Sequence, residues 1–320
     1  MCFPKYICIN DDKKSFTCLL PTEYHVFTIS PLEHVLNIEL KSITAGSCAT
    51  CDGYHYIALT GLPADPTFNQ KSVVVYEHLT DQRKELFKKS FDKYILELRI
   101  TPKYLACSFY DHIEIWDYTS STLYQQIPTA INVHAPISVS YDYSTLACTG
   151  NQSNDINIFS FSTRYSIQFP AADGPISSIV FSSDREEPLY FATVTSSGCI
   201  IKVYEAETSF NVINFKRGAS KSIIYSLDFS PDNKYLAAVS QNATIHFFDM
   251  SSKSKKAPTI RAFNRIKIGK SSISYISWYA CNQIAVLKMN GKLLKITIDP
   301  TNCNEVGRES VSLNLGVHNV

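Results

Sequence analysis

Ile224-Tyr-Ser-Leu-Asp-Phe229, Ser230-Pro-Asp-Asn233, Tyr235-Leu-Ala-Ala-Val239 and Thr244-Ile-His-Phe-Phe248 follow one another in the second half of the chain. The first, third and fourth pieces are short runs rich in β-branched and aromatic residues, the pattern of strands. The second is a turn, because proline presets one backbone angle and aspartate and asparagine bond to their own backbone. Similar units lie upstream. One contains Ile176-Ser-Ser-Ile-Val-Phe181, Leu189-Tyr-Phe-Ala-Thr193 and Ile200-Ile-Lys-Val-Tyr204. Another contains Leu96-Glu-Leu-Arg-Ile100, Tyr104-Leu-Ala-Cys-Ser108 and His112-Ile-Glu-Ile-Trp-Asp117. Helical periodicity is almost absent.

Equivalent strands recur roughly every 40 to 50 residues, the period of four-stranded propeller blades, and the chain holds about seven such periods. Weaker units cover about 5–45, 48–90, 131–172 and 272–312. Ile115-Trp116-Asp117 is a Trp-Asp ending of the WD-repeat kind, which drifts to Val203-Tyr204-Glu205 and Phe247-Phe248-Asp249 elsewhere. The expected fold is therefore all-β, a single WD-repeat-like seven-bladed β-propeller over residues 1–313. A pair of β-sandwiches is the alternative, and one period sustained along the chain speaks against it. Residues 284–298 are expected to supply the last blade, and the N-terminal strand near Lys5 to Asn10 to close the ring by completing it. Residues 314–320 read as a short loose tail.

Composition narrows the function. A hydrophobic fraction of 45% against 18% charged residues fits a well-cored globular chain. The net charge of +1 gives no global attraction to nucleic acid or anionic lipid, so any electrostatic role must rest on a local cluster. The ten cysteines are scattered, several inside apolar runs such as Leu105-Ala106-Cys107, and read as buried reduced thiols of a cytoplasmic protein. Cys48-Ala-Thr-Cys51 is the one CxxC, and no second ligand pair completes a tetrahedral zinc site. Met1 to Asn10 carries Pro4, Lys5 and strand-like alternation in place of a secretory leader. No apolar run approaches the roughly 18 residues of a spanning helix, so a soluble chain is expected. No GxSxG, HExxH or phosphate-cradling glycine loop is present, so neither enzyme activity nor a cofactor is expected.

Two local features stand out. Ser251 to Lys270 carries seven basic residues, Lys253, Lys255, Lys256, Arg261, Arg265, Lys267 and Lys270, and no acidic one. Just upstream, Phe215-Lys216-Arg217-Gly218 ends the fifth unit. Neighbouring side chains of a strand point to opposite faces, so Lys216 and Arg217 can serve two anion pockets, one on each side. Arginine offers phosphate a planar fork of donors, whereas lysine offers a point charge. Gly218 is expected to let the chain turn sharply and let a ligand approach the backbone. Thr195, Ser197 and Lys202 precede the pair. Lys221, Ser240, Thr244 and His246 follow it, and Thr244 and His246 share a strand face.

In this stretch the chain resembles the PROPPINs, the phosphoinositide-binding β-propellers of autophagy. The resemblance is carried by Ala192-Thr193, Ile201-Lys202-Val203-Tyr204, Phe215-Lys216-Arg217-Gly218, Ile224-Tyr225-Ser226-Leu227, Phe229-Ser230 and Thr244-Ile245-His246-Phe247-Phe248. Weaker likeness extends to Ala58-Leu59-Thr60-Gly61, Lys71 to Tyr76 and Ala262-Phe263 with Ile266-Lys267-Ile268. The resemblance implies binding of phosphatidylinositol 3-phosphate and phosphatidylinositol 3,5-bisphosphate at two sites flanking the motif, on a propeller lying edge-on to the membrane. Lys216 would serve the first site with Thr195 and Lys202. Arg217 would serve the second with Lys221, Ser240, Thr244 and His246. A charged His246 on phosphate would raise affinity between pH 7 and 6.

Departures from the family fall mainly on the first site. Lys216 and Lys202 stand where arginine is usual, Cys199 where threonine is, and Ala172 where histidine often precedes Gly174-Pro175. The first site is therefore expected to be the weaker. On the second, Val239 replaces a common serine and Ala243 a common glycine. The sixth-blade loop, Ser251 to Thr259, is short and polar. Lys253, Lys255 and Lys256 would attract anionic headgroups, on the order of 1 kcal/mol each, without deep insertion.

The resemblance also implies autophagy proteins docking on the second and third blades, with 61–70 and 73–76 as candidate segments. It places the chain in the cytoplasm, peripherally associated with autophagic precursor, endosomal or vacuolar membranes, as a monomer in solution. A protein scaffold without lipid affinity is the alternative function. A nucleic-acid adaptor is not favoured, because the 253–270 run lacks stacking aromatics apart from Phe263.

Overall fold

The computed structural model describes residues 3–79, 82–182, 189–254, 256–270, 272–313 and 315. Seven sheets follow one another along the chain, each with four antiparallel strands in chain order. The first pairs Tyr6–Ile9, Ser15–Leu19, Glu23–Thr28 and His34–Glu39, and the second Ala45–Cys51, Tyr56–Gly61, Ser72–Leu79 and Gln82–Ser90. The third holds Glu97–Ile100, Tyr104–Ser108, His112–Asp117 and Thr122–Pro128; the fourth holds Ile137–Val139, Thr145–Thr149, Asp155–Ser160 and Ser166–Pro170. The fifth has Ile176–Phe181, Tyr190–Thr195, Ile200–Glu205 and Asn211–Lys216. The sixth has Ile224–Phe229, Tyr235–Ser240, Thr244–Asp249 and Asn264–Lys267, and the seventh Ser274–Ala280, Gln283–Lys288, Lys292–Ile298 and Glu305–Ser312. The fold is the expected seven-bladed β-propeller. Among the described residues the only helical element is the single 3-10 turn Met250–Ser252.

One expectation is corrected. The N-terminal strand Tyr6–Ile9 pairs with Ser15–Leu19 in the first sheet, and the seventh sheet takes its fourth strand from Glu305–Ser312. The last blade is thus completed from the C-terminal side, because 305–312 is itself long enough to pair along Lys292–Ile298. The basic run is divided between two sheets. Thr259–Arg261 adds to the fifth sheet as a parallel fifth strand, with Phe215 opposite Ile260 and Lys216 opposite Arg261, before Asn264–Lys267 returns to the sixth. Apart from Leu315, the expected tail lies outside the described residues, as does Lys255.

Burial explains why these segments become strands. The second strands are covered on both faces, with Ser15–Leu19 and Tyr235–Ser240 buried throughout. The fourth strands, such as Ser166–Pro170 and Glu305–Ser312, are mostly exposed. Apolar side chains of consecutive sheets pack together, burying the area that drives folding. Leu19, Tyr24 and Val26 meet Ile57, Leu59 and Val74. Ile213 and Phe215 meet Leu227, Phe229 and Phe248, and Phe247 meets Trp278. The described cysteines are free thiols; most are buried, but Cys281 is exposed.

The chain divides into two compact units, residues 1–127 with 289–293 and 311–320, and residues 128–288 with 294–310. The candidate site lies wholly in the second.

Candidate functional site at the end of the fifth sheet

Phe215 anchors the motif. It is fully buried and stacks on Phe248 of the sixth sheet, ring centroids 4.8 Å apart. With Phe215 turned inward, Lys216 and Arg217 are the first residues free to differ, and strand alternation sends them to opposite sides. In the register, Lys216 lies opposite Ile200 and Asn214 opposite Lys202, so Lys216, Ile200 and Lys202 share a face.

On that face opens a cleft of about 360 Å³, lined by Ala172, Asp173, Gly174, Pro175, Thr193, Thr195, Ser196, Ser197, Ile200, Lys202 and Lys221. Thr195 Oγ1 and Ser197 Oγ are 2.8 Å apart, presenting two hydroxyls from one turn. Lys202 Nζ donates to Asp173 Oδ1 at 2.7 Å. Lys221 has no ion pair among the described residues. Gly198 makes the turn possible: its φ is +60°, and a Cβ there would sit 1.9 Å from the Ser222 carbonyl oxygen. Two cations, four hydroxyl side chains and one carboxylate therefore line a cavity within the size range of small-molecule sites.

The other side is packed. Arg217 is 6% exposed. Its Nε donates to the Gly198 carbonyl at 2.6 Å, its Nη2 donates to the Ser220 carbonyl, and its backbone N–H donates to Cys199 O at 2.9 Å. Ser240 and His246 are buried as well, with Ser240 Oγ 3.4 Å from His246 Nε2. His246 Nδ1 is buried and without a hydrogen-bond partner among the described residues. Burial, followed by the Arg217 and Arg265 guanidiniums, lowers the His246 pKa to about 4. At that pKa the ring of the free protein is neutral between pH 7 and 6. Thr244 is half-buried and donates to Asn242 O at 3.2 Å. Ala243, where the family commonly has glycine, adopts φ +52°.

The structure thus brings Thr195, Ser197, Lys202 and Lys221 together, and separately Arg217, Ser240 and His246. Lys221 was expected with Arg217 and lies with Lys202 instead, because the Ser222 N–H donates to Ser197 O at 3.0 Å and draws 221–222 against the cleft wall. Gly218 does not have a positive φ, and a Cβ added to it would meet nothing within 4 Å. Its value is open space, not a demand of the turn. Of the loop lysines, Lys253 is half-buried over the Tyr190 ring, 4.2 Å from its centroid, and Lys256 is exposed. Asp173 and Ser196 were missed by sequence reasoning; Asp173 could have been found beside Ala172, a position already marked as unusual. Cys48 and Cys51 lie three apart in Ala45–Cys51, so their side chains leave opposite faces of the strand.

The family model PROPPIN matches residues 8–294. The chain belongs to the PROPPIN family. This PROPPIN is 24% identical over 279 residues to Autophagy-related protein 18 of Komagataella pastoris, an alignment covering 75% of this chain and 50% of that protein. It is also 24% identical over 256 residues to WD repeat domain phosphoinositide-interacting protein 1 of Xenopus laevis, covering 75% of this chain and 55% of that one. The chain thus spans about half the length of these relatives. Among solved structures it is similar to Kluyveromyces lactis Hsv2, with TM-score 0.79 and 16% identity, covering 96% of this chain and 98% of that one. It is likewise similar to KlAtg21 in a complex with the coiled-coil of AgAtg16, with TM-score 0.79 and 20% identity, covering 98% of this chain and 100% of that one.

Proposed function

We propose that this PROPPIN is a peripheral membrane adaptor of autophagy or endosomal and vacuolar traffic that binds phosphatidylinositol 3-phosphate and phosphatidylinositol 3,5-bisphosphate. The observation that carries the reading is the cleft beside Lys216, where Lys202, Lys221, Thr195 and Ser197 converge. Lysines supply charge to a phosphate monoester, and the hydroxyls can both donate to it and accept from the inositol ring. The primary contact is on the Lys216 side. Arg217 holds the turn that forms the cleft wall and lies beside Ser240 and His246, where a second phosphate contact needs side-chain rearrangement. Lys256 and its neighbours add attraction to anionic lipid. Two contacts on one rigid edge strengthen each other through effective concentration.

The test is vesicle flotation across a phosphoinositide panel with wild type, Lys202→Ala/Lys221→Ala and Lys216→Ala/Arg217→Ala. Selective flotation of wild type with 3-phosphorylated lipids, lost in both variants while their circular dichroism is unchanged, is the expected result. Wild type that floats with none of the lipids, or cleft variants that bind as wild type does, would sink the reading.

A second role, docking a helical protein partner, is favoured by the likeness to KlAtg21 seen with a coiled-coil. Tyr94 and Tyr110, 52% and 42% exposed, stand beside the second-blade loop with Lys71 and Lys93 over their rings. Exposed tyrosines flanked by cations are a common centre for such contacts. Losing coiled-coil capture in Tyr94→Ala/Tyr110→Ala, with vesicle binding retained, is the expected outcome.

A further inference from the structure

Val133 and Ile131, 78% and 73% exposed, are the most exposed large hydrophobic side chains among the described residues. Single exposed aliphatics are ordinary, but clustered ones mark contact surfaces. These two bracket Asn132, which is 5% exposed and donates through Nδ2 to the Ile176 carbonyl at 2.7 Å. The buried asparagine pins the segment, and its neighbours project outward as a consequence. The next residue, His134, places its Nε2 3.4 Å from Ser196 Oγ, and Ser196 lines the cleft. A second segment is held by the neighbouring residue: Ser222 is tied to Ser197, and Ile223 beyond it is 52% exposed. The adjacent residues Ser196 and Ser197 therefore each touch a segment that carries exposed aliphatic side chains, and both line the cleft with Lys202 and Lys221.

We infer that Ile131 and Val133 on one segment and Ile223 on the other enter the boundary between headgroups and acyl chains when an anionic headgroup occupies the cleft. This rests on the lipid-binding reading and adds a depth-setting contact to it. A cationic recess edged by exposed aliphatics complements an anionic bilayer surface on both counts. A soluble polyphosphate would use the lysines and leave the aliphatics in water. The loop that carries Lys253 is unsuited to the task, since Ser251 to Thr259 is polar and Lys253 lies against Tyr190.

The experiment compares wild type with Ile131→Ser/Val133→Ser, changes on exposed side chains that leave Asn132 in place. Affinity is measured for phosphatidylcholine vesicles containing phosphatidylinositol 3-phosphate and for soluble inositol 1,3-bisphosphate. The variant is expected to bind vesicles about tenfold more weakly and the soluble headgroup within about twofold of wild type. In Val133→Trp the introduced indole should shift to the blue on vesicle addition and be quenched by brominated acyl chains. Equal vesicle affinity with an indole that stays in water overturns the insertion while the lipid reading stands. A parallel loss of soluble-headgroup affinity also overturns it, by assigning these side chains to the cleft itself. Wild type that binds neither probe overturns both readings.

Discussion

Lys202 Nζ and Asp173 Oδ1 form an ion pair of 2.7 Å inside the cleft that both residues line. The carboxylate occupies the lysine and places a negative charge where a phosphate would sit, and Asp173 is 74% exposed, so its own loss costs little structure. Asp173→Asn is expected to raise affinity for phosphatidylinositol 3-phosphate vesicles about fivefold, with the gain shrinking as salt screens it. Flotation at low and high salt checks this. Unchanged affinity at both would show that the carboxylate does not compete with the headgroup.

Lys216 and Arg217 should separate in stability. Arg217 is buried and donates to the carbonyls of Gly198 and Ser220, so Arg217→Ala leaves both oxygens without a charged donor. A loss of about 2 kcal/mol or more is expected, against about 0.5 kcal/mol or less for half-buried Lys216→Ala. Urea unfolding of the two variants measures the difference. Equal midpoints would show that the Arg217 tether contributes nothing.

His246 sets a pH window. Its folded pKa of about 4 lies below the ordinary 6.5, so the unfolded chain takes up a proton that the folded chain refuses. The resulting stability is fully present above about pH 6.5 and is lost as pH falls toward 4, in total about 3 kcal/mol. The stability gap between wild type and His246→Gln should therefore narrow across that range. Vesicle binding should show no rise from this residue between pH 7 and 6, and an imidazole resonance titrating near 6.5 would contradict both statements.

Ala243 adopts φ +52°, a conformation that L side chains resist, and is buried at the start of Thr244–Asp249. Ala243→Gly is expected to stabilise the fold by about 0.5 to 1 kcal/mol. Thermal unfolding reads this directly, and a drop in midpoint would show that the methyl group packs better than its backbone conformation costs.

Cysteine reactivity should follow burial. Burial pushes the Cys18, Cys148 and Cys303 thiols up to about 12, whereas Cys281 is exposed. Iodoacetamide at mildly alkaline pH should modify Cys281 first and the other three only on unfolding, as located by peptide mass spectrometry.

The blades were legible because their first three strands are buried and carry alternating or continuous apolar side chains, as in Ile224–Phe229, Tyr235–Ser240 and Thr244–Asp249. The fourth strands were hard to read for the converse reason. Ser166–Pro170 and Glu305–Ser312 are mostly exposed, so no periodic burial marks them, and the closing strand was sought at the wrong end of the chain. Strand alternation alone sent Lys216 and Arg217 to opposite sides.

What neighbours those two residues was decided by contacts between distant segments. The tie between Ser222 and Ser197 brought Lys221 to Lys202, and Thr259–Arg261 joined the fifth sheet beside Lys216. Local sequence determines where each side chain points along its strand. Burial, desolvation and the charges of other segments determine which of the motif's two sides is open, and here the tertiary structure opens the Lys216 side and buries Arg217 against the Gly198 and Ser220 carbonyls.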